Sequence, residues 1–147
     1  MGLDIQGMAP LLQVFDMAAS IRFYRDLLGF EILGASSPGD HFDWALLRLN
    51  GVTVMLNTAY EQECRPPAPD PARVSAHSDT VLYFGCPDPD LACRQLRASG
   101  LEVNEPKVAP YGMKQLYLSD PDGYGLCLQW PVDGKWPYDS TDPGGRT

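Results

Sequence analysis

The chain carries the same pattern of elements twice. Leu47-Arg48-Leu49-Asn50-Gly51-Val52-Thr53-Val54-Met55-Leu56 reads as strand, turn, strand, and Leu116-Tyr117-Leu118-Ser119-Asp120-Pro121-Asp122-Gly123-Tyr124-Gly125-Leu126-Cys127-Leu128 reads the same way. Asn50-Gly51 is a strong hairpin signal, and Asp120-Pro121-Asp122-Gly123 combines a φ-fixing proline with a glycine that accepts positive φ. Counted from each turn glycine, Val54-Met55-Leu56 falls on Leu126-Cys127-Leu128. Upstream, Asp16 can cap a helix ending at Leu28 and followed by Gly29-Phe30-Glu31-Ile32. Asp88 can cap a second ending at Ser99 and followed by Gly100-Leu101-Glu102-Val103. A short apolar run precedes each, Pro10 to Val14 and Val81 to Cys86. Two strand–helix–strand–strand–strand units in tandem restrict the fold more than any bulk property does.

The expected class is α+β: two tandem βαβββ repeats whose curved mixed sheets enclose a cup-like cavity. The first repeat is expected over 9–58, a Pro-rich linker over 59–78, the second repeat over 79–130 and a tail over 131–147, all within one domain. Strand alternation assigns faces. Leu12, Val14, Ala45, Leu47, Val54 and Leu56 point one way; Leu11, Gln13, Trp44, Leu46, Arg48, Thr53, Met55 and Asn57 point the other. In the second repeat Leu82 and Phe84 face the helices, whereas Tyr83, Met113, Gln115, Tyr117, Cys127 and Gln129 face the cavity. Leu91 and Leu96 are expected to anchor the second helix. The linker holds Pro66, Pro67, Pro69 and Pro71 and is read as a plain connection, with a flap over the cavity as the alternative. Trp136 and Tyr138 could pin the tail to the body or to a partner chain.

Charge and composition exclude several roles. With 11 Lys and Arg against 19 Asp and Glu, the net charge is −8, which opposes binding to nucleic-acid phosphates. It is compatible with a cationic ligand. No apolar run approaches the roughly 20 residues needed to cross a bilayer, and Asp4 and Gln6 interrupt any signal-like start. A cytoplasmic location without membrane partners is therefore expected. The four cysteines, Cys64, Cys86, Cys93 and Cys127, form no CxxC motif and are expected to be reduced.

Phe23-Tyr24-Arg25-Asp26-Leu27-Leu28-Gly29-Phe30-Glu31 and Asp120-Pro121-Asp122-Gly123-Tyr124, set in two βαβββ units, resemble the vicinal oxygen chelate superfamily of glyoxalases, extradiol dioxygenases and fosfomycin- and bleomycin-resistance proteins. The resemblance spans about residues 9–130. It implies that metal-dependent members draw His and Glu ligands from the first and last strands of each half. Here those positions count to Ala9, Met55, Val81 and Cys127. None is a carboxylate or an imidazole, so no metal and no cofactor is expected; a soft Met–Cys copper(I) site is the remaining alternative. His41 and His77 fall in expected loops. No catalytic residue is assigned. Cys127 has no histidine expected beside it, and Tyr83 and Tyr117 suit hydrogen bonding better than acid catalysis.

The function expected is metal-independent binding or sequestration of an aromatic or planar small molecule, similar to the bleomycin-resistance proteins and hence linked to antibiotic resistance. Trp44, Tyr83 and Tyr117 offer stacking area, Arg48, Asn57, Gln115 and Gln129 offer directional hydrogen bonds, and Met55 and Met113 offer adaptable contacts, with Cys127 completing the expected ligand-binding set. The resemblance implies a homodimer. The alternative is a glyoxalase- or dioxygenase-like enzyme, a lyase or oxidoreductase whose divalent-metal ligands lie elsewhere. The residues lean away from catalysis without deciding it.

Overall fold

The computed structural model describes residues 2–39 and 41–135. Trp136 and Tyr138 lie outside the described residues. The chain forms two compact units. Among the described residues, the first holds those up to His77 together with the turn Asp120–Gly123, and the second holds Ser78–Ser119 and 124–135.

The first unit contains strand β1 (Leu11–Val14), helix α1 (Met17–Ile21), and strands β2 (Glu31–Ala35), β3 (Trp44–Leu49) and β4 (Val52–Thr58). The sheet order is β1-β4-β3-β2, with β1 parallel to β4 and the other pairs antiparallel. Asp16 caps α1 by accepting from the Ala18 and Ala19 amides. Beyond Ile21 the helix widens to π-type turns over Arg22–Leu27. The expected single helix from Asp16 to Leu28 is thus two helical geometries in sequence. Gly29, at φ 92°, ends it. Leu12, Val14, Ala45, Leu47, Val54 and Leu56 are buried, together with Met17, Ile21, Phe23 and Tyr24 from the helical segment. Each buried Val, Leu, Ile, Met or Phe side chain contributes about 1.5–3 kcal/mol.

The stretch 59–78 carries a short 3-10 turn (Gln62–Cys64) and helix α2 (Pro71–Ala76). Asp70 caps α2 through the Ala72 amide, and Pro71 occupies its first turn, where no amide donor is needed.

The second unit repeats the topology. Strands β5 (Val81–Gly85), β6 (Lys107–Val108), β7 (Met113–Ser119) and β8 (Gly125–Pro131) take the order β5-β8-β7-β6, and helix α3 (Pro89–Ala98) packs on β7 and β8. The parallel registers match. Leu11 pairs with Met55 as Tyr83 pairs with Cys127, and Leu12 pairs with Leu56 as Phe84 pairs with Leu128.

Two local expectations change. The sequence places a strand at Leu101–Val103, but β6 forms at Lys107–Val108. The Val103 carbonyl accepts from Arg97 and the Asn104 carbonyl from the Cys93 thiol, so both are turned toward α3 rather than a neighbouring strand. Leu96 anchors α3 as expected, but Leu91 is 42% exposed, and Pro89 and Cys93 are buried in its place.

Candidate functional site

Each sheet has one face whose side chains are only partly covered. In the first unit Gln13, Asn57 and Trp44 lie side by side across β1, β4 and β3, and Leu11, Met55 and Leu46 form the next row. Asn57 donates to the Gln13 side-chain oxygen at 3.3 Å. Arg48 stands in the row after that, opposite Thr53, and its guanidinium pairs with Glu31 at 3.2 Å. Of the four candidate residues here, Trp44, Met55 and Asn57 form one contiguous patch. Arg48 is tied to an edge-strand acid instead.

In the second unit the candidates form a connected polar network. Tyr83 and Tyr117 flank Cys127 across β5, β8 and β7. Their hydroxyls are 3.2 Å apart and their rings meet edge to face at 6.4 Å. The Tyr117 hydroxyl donates to the Gln115 side-chain oxygen at 3.3 Å, and the Gln115 amide donates to Gln129 at 2.9 Å. Gln115 and Gln129 are buried, while Tyr83 and Tyr117 are about half exposed. Buried glutamines need this pairing, since an unpaired amide costs about 1–3 kcal/mol. Met113, opposite Pro131, sits at the end of the row.

Sequence reasoning missed Tyr111. Its hydroxyl accepts from the Gln115 amide at 2.9 Å. It lies in the stretch between β6 and β7, where alternation carries no facing information, so no sequence signal marked it.

The hydrogen bond with Tyr83, and then burial, push the Tyr117 phenol well above its ordinary value. Burial also raises the Cys127 thiol, against a smaller opposing hydrogen bond from Tyr117. Both stay protonated near neutrality. Cys127 is fully buried, and no histidine is among its hydrogen-bond partners or strand neighbours, so nothing activates this thiol as a nucleophile.

His77, expected in a loop, instead ends helix α2. Its Nδ1 lies 2.7 Å from the Asp122 carbonyl oxygen within the first unit. The turn acids are likewise more than turn chemistry. The Asp122 carboxylate accepts from the Phe15 amide (2.8 Å), the Ser20 hydroxyl (3.3 Å) and the Arg73 guanidinium (2.8 Å). Asp120 accepts from the buried Tyr24 hydroxyl at 2.7 Å.

A family model described as Glyoxalase/Bleomycin resistance protein/Dioxygenase superfamily matches residues 8–128. The chain belongs to this superfamily. Among solved structures, the superfamily fold recurs in TnmS3, an antibiotic-binding protein from Streptomyces sp. CB03234. It is 26% identical, covers 88% of this chain and 99% of that one, and has a TM-score of 0.63. TioX from Micromonospora sp. ML1 is 16% identical, covers 86% and 100%, and has a TM-score of 0.64. A bleomycin-binding protein complexed with bleomycin is 21% identical, covers 85% and 98%, and has a TM-score of 0.62. No curated protein matches the chain significantly.

Metal-dependent members of the superfamily supply a test of the donor set. Met55 lies between Leu11 and Leu46, and Cys127 between Tyr83 and Tyr117. Leu11 and Tyr83 stand two residues beyond the counted positions Ala9 and Val81. A thioether and a protonated thiol among aliphatic and phenolic neighbours do not fit a hard divalent cation, which takes carboxylate and imidazole donors. Among the described residues no group of three or more His, Cys, Asp or Glu side chains is placed to hold a metal ion. Among the described residues no helix is long and apolar enough to cross a membrane.

Proposed function

We propose that this member of the superfamily binds and sequesters an aromatic or planar small molecule without a metal. The observation that carries the reading is the network Tyr83–Tyr117–Gln115–Gln129, extended by Tyr111. Its buried amides hold two half-exposed phenols in fixed orientation, which suits stacking combined with directional hydrogen bonding. The Trp44, Met55 and Asn57 patch of the first unit supplies a second surface of the same kind. The antibiotic-binding relative TnmS3 and the bleomycin-binding protein support a small-molecule ligand. In this reading the protein is a cytoplasmic homodimer, and its action is sequestration rather than turnover.

The test is thermal-shift titration with bleomycin and a panel of planar aromatic antibiotics, with and without EDTA. At least one compound should stabilise the protein equally in both conditions. Tyr117→Ala, which removes an exposed ring, should abolish the shift. Stabilisation by no member of the panel, or only without chelator, overturns the reading.

A further inference from the structure

A separate cavity lies within the first unit, at the ends of β1, β3 and β4. It has a volume of about 340 Å³ and is lined by Phe15, Phe42 and Tyr60 together with Asp16, Asp43, His41 and Arg65. Phe15 and Tyr60 meet edge to face, with centroids 6.0 Å apart. The Arg65 guanidinium lies over the Phe15 ring, 5.6 Å from its centroid, and 3.5 Å from the Asp16 carboxylate. Aromatic faces beside carboxylates attract organic cations through the ring quadrupole and through charge. Here the chain's own guanidinium occupies that position.

We propose that this cavity is a second binding site, for a planar organic cation of the amidinium or guanidinium class, and that Arg65 is its displaceable plug. Three features argue for displacement. The ion pair is long, and both of its side chains are more than one-third exposed; such pairs contribute little to stability. Asp16 keeps its structural role without Arg65, because the same carboxylate oxygen caps α1 through the Ala18 and Ala19 amides. Two acidic residues, Asp16 and Asp43, line the cavity beside one arginine, Arg65, and one histidine, His41, so acidic groups remain for an incoming cation once Arg65 swings out. A plug that closes the site for most of the time lowers apparent affinity by the open fraction.

The experiment is isothermal titration of the full chain with benzamidine and with benzamide, its uncharged isostere. Arg65→Ala should bind benzamidine about 5-fold more tightly than the unaltered protein, from loss of one exposed cation–π contact and one surface ion pair. Asp16→Asn in the Arg65→Ala background keeps an oxygen for the helix cap and should reverse that gain. Benzamide should bind neither protein. The proposal fails if Arg65→Ala leaves benzamidine affinity unchanged, if benzamide binds equally well, or if neither compound binds. Arg65→Gln, which retains the packing stem, should behave as Arg65→Ala; a gain seen in only one of the two overturns the plug. Tyr117→Ala should leave benzamidine binding intact, so failure here is distinct from failure of the sheet-face site.

Discussion

Replacing Asp122 tests the turn that the sequence presents as a simple reversal. Its side chain is 2% exposed and pairs with an Arg73 side chain that is 16% exposed. The same carboxylate satisfies the Phe15 amide and the Ser20 hydroxyl. Asp122→Ala leaves a largely buried guanidinium without its carboxylate and orphans a backbone amide, at a cost of about 3–5 kcal/mol. Asp122→Asn can keep one oxygen toward Phe15 and Arg73 and turn its amide toward Ser20. It loses charge but not geometry, at a cost of about 1–2 kcal/mol, the difference between charge-assisted and neutral hydrogen bonds. Urea unfolding at pH 7, followed by far-UV circular dichroism, reads both. With a slope of about 2 kcal/mol per molar, Asp122→Ala should lower the midpoint by about 2 M and Asp122→Asn by less than 1 M. A loss under about 1 kcal/mol for Asp122→Ala would refute the reasoning, as would equal losses for the two variants.

Gly123→Ala should destabilise more than any exposed turn substitution. Gly123 has φ 88°, and an added Cβ would sit 2.2 Å from the Val74 carbonyl oxygen, so α2 must shift; the same urea assay should show a loss of at least about 2 kcal/mol. Gln115→Leu, in contrast, removes the partner of both Gln129 and Tyr111 and should cost about 1–3 kcal/mol, with Tyr117→Phe nearer to neutral. The folded state holds the Cys86, Cys127 and Tyr117 protons more tightly than the unfolded chain does, because all three pKa values are raised. Their contribution is complete below the unfolded thiol value of 9.0 and is lost as pH rises through the folded values; a melting temperature that increases between pH 9 and 10.5 would contradict this sign. Alkylation by iodoacetamide at pH 8 should modify exposed Cys64 well before Cys127, as peptide mapping can show.

Much of the fold was legible because it is written in local periods. Alternation along β3, β4, β7 and β8 depends only on the pleat, so Leu47 and Leu56 could be assigned inward and Trp44, Asn57 and Gln115 to the other face without knowledge of neighbours. The repeat was legible because the Asp caps and turn glycines recur at matching offsets, and the registers of β1–β4 and β5–β8 agree with it. The strand at Leu101–Val103 was misread because carbonyls that α3 captures look, in sequence, like any apolar run.

By itself the sequence determined the tandem architecture, the facing of the long strands and the absence of carboxylates and imidazoles at Ala9, Met55, Val81 and Cys127. These follow from residue identity and from periods of two or 3.6 residues. Only the tertiary structure decided where Asp120 and Asp122 go: their partners Tyr24 and Phe15 are 96 and 107 residues away, and no local rule encodes such a distance. The same holds for Arg73 on Asp122 and for Arg65 over Phe15. Backbone geometry dictates which way a side chain points, but only the folded chain brings up what it meets.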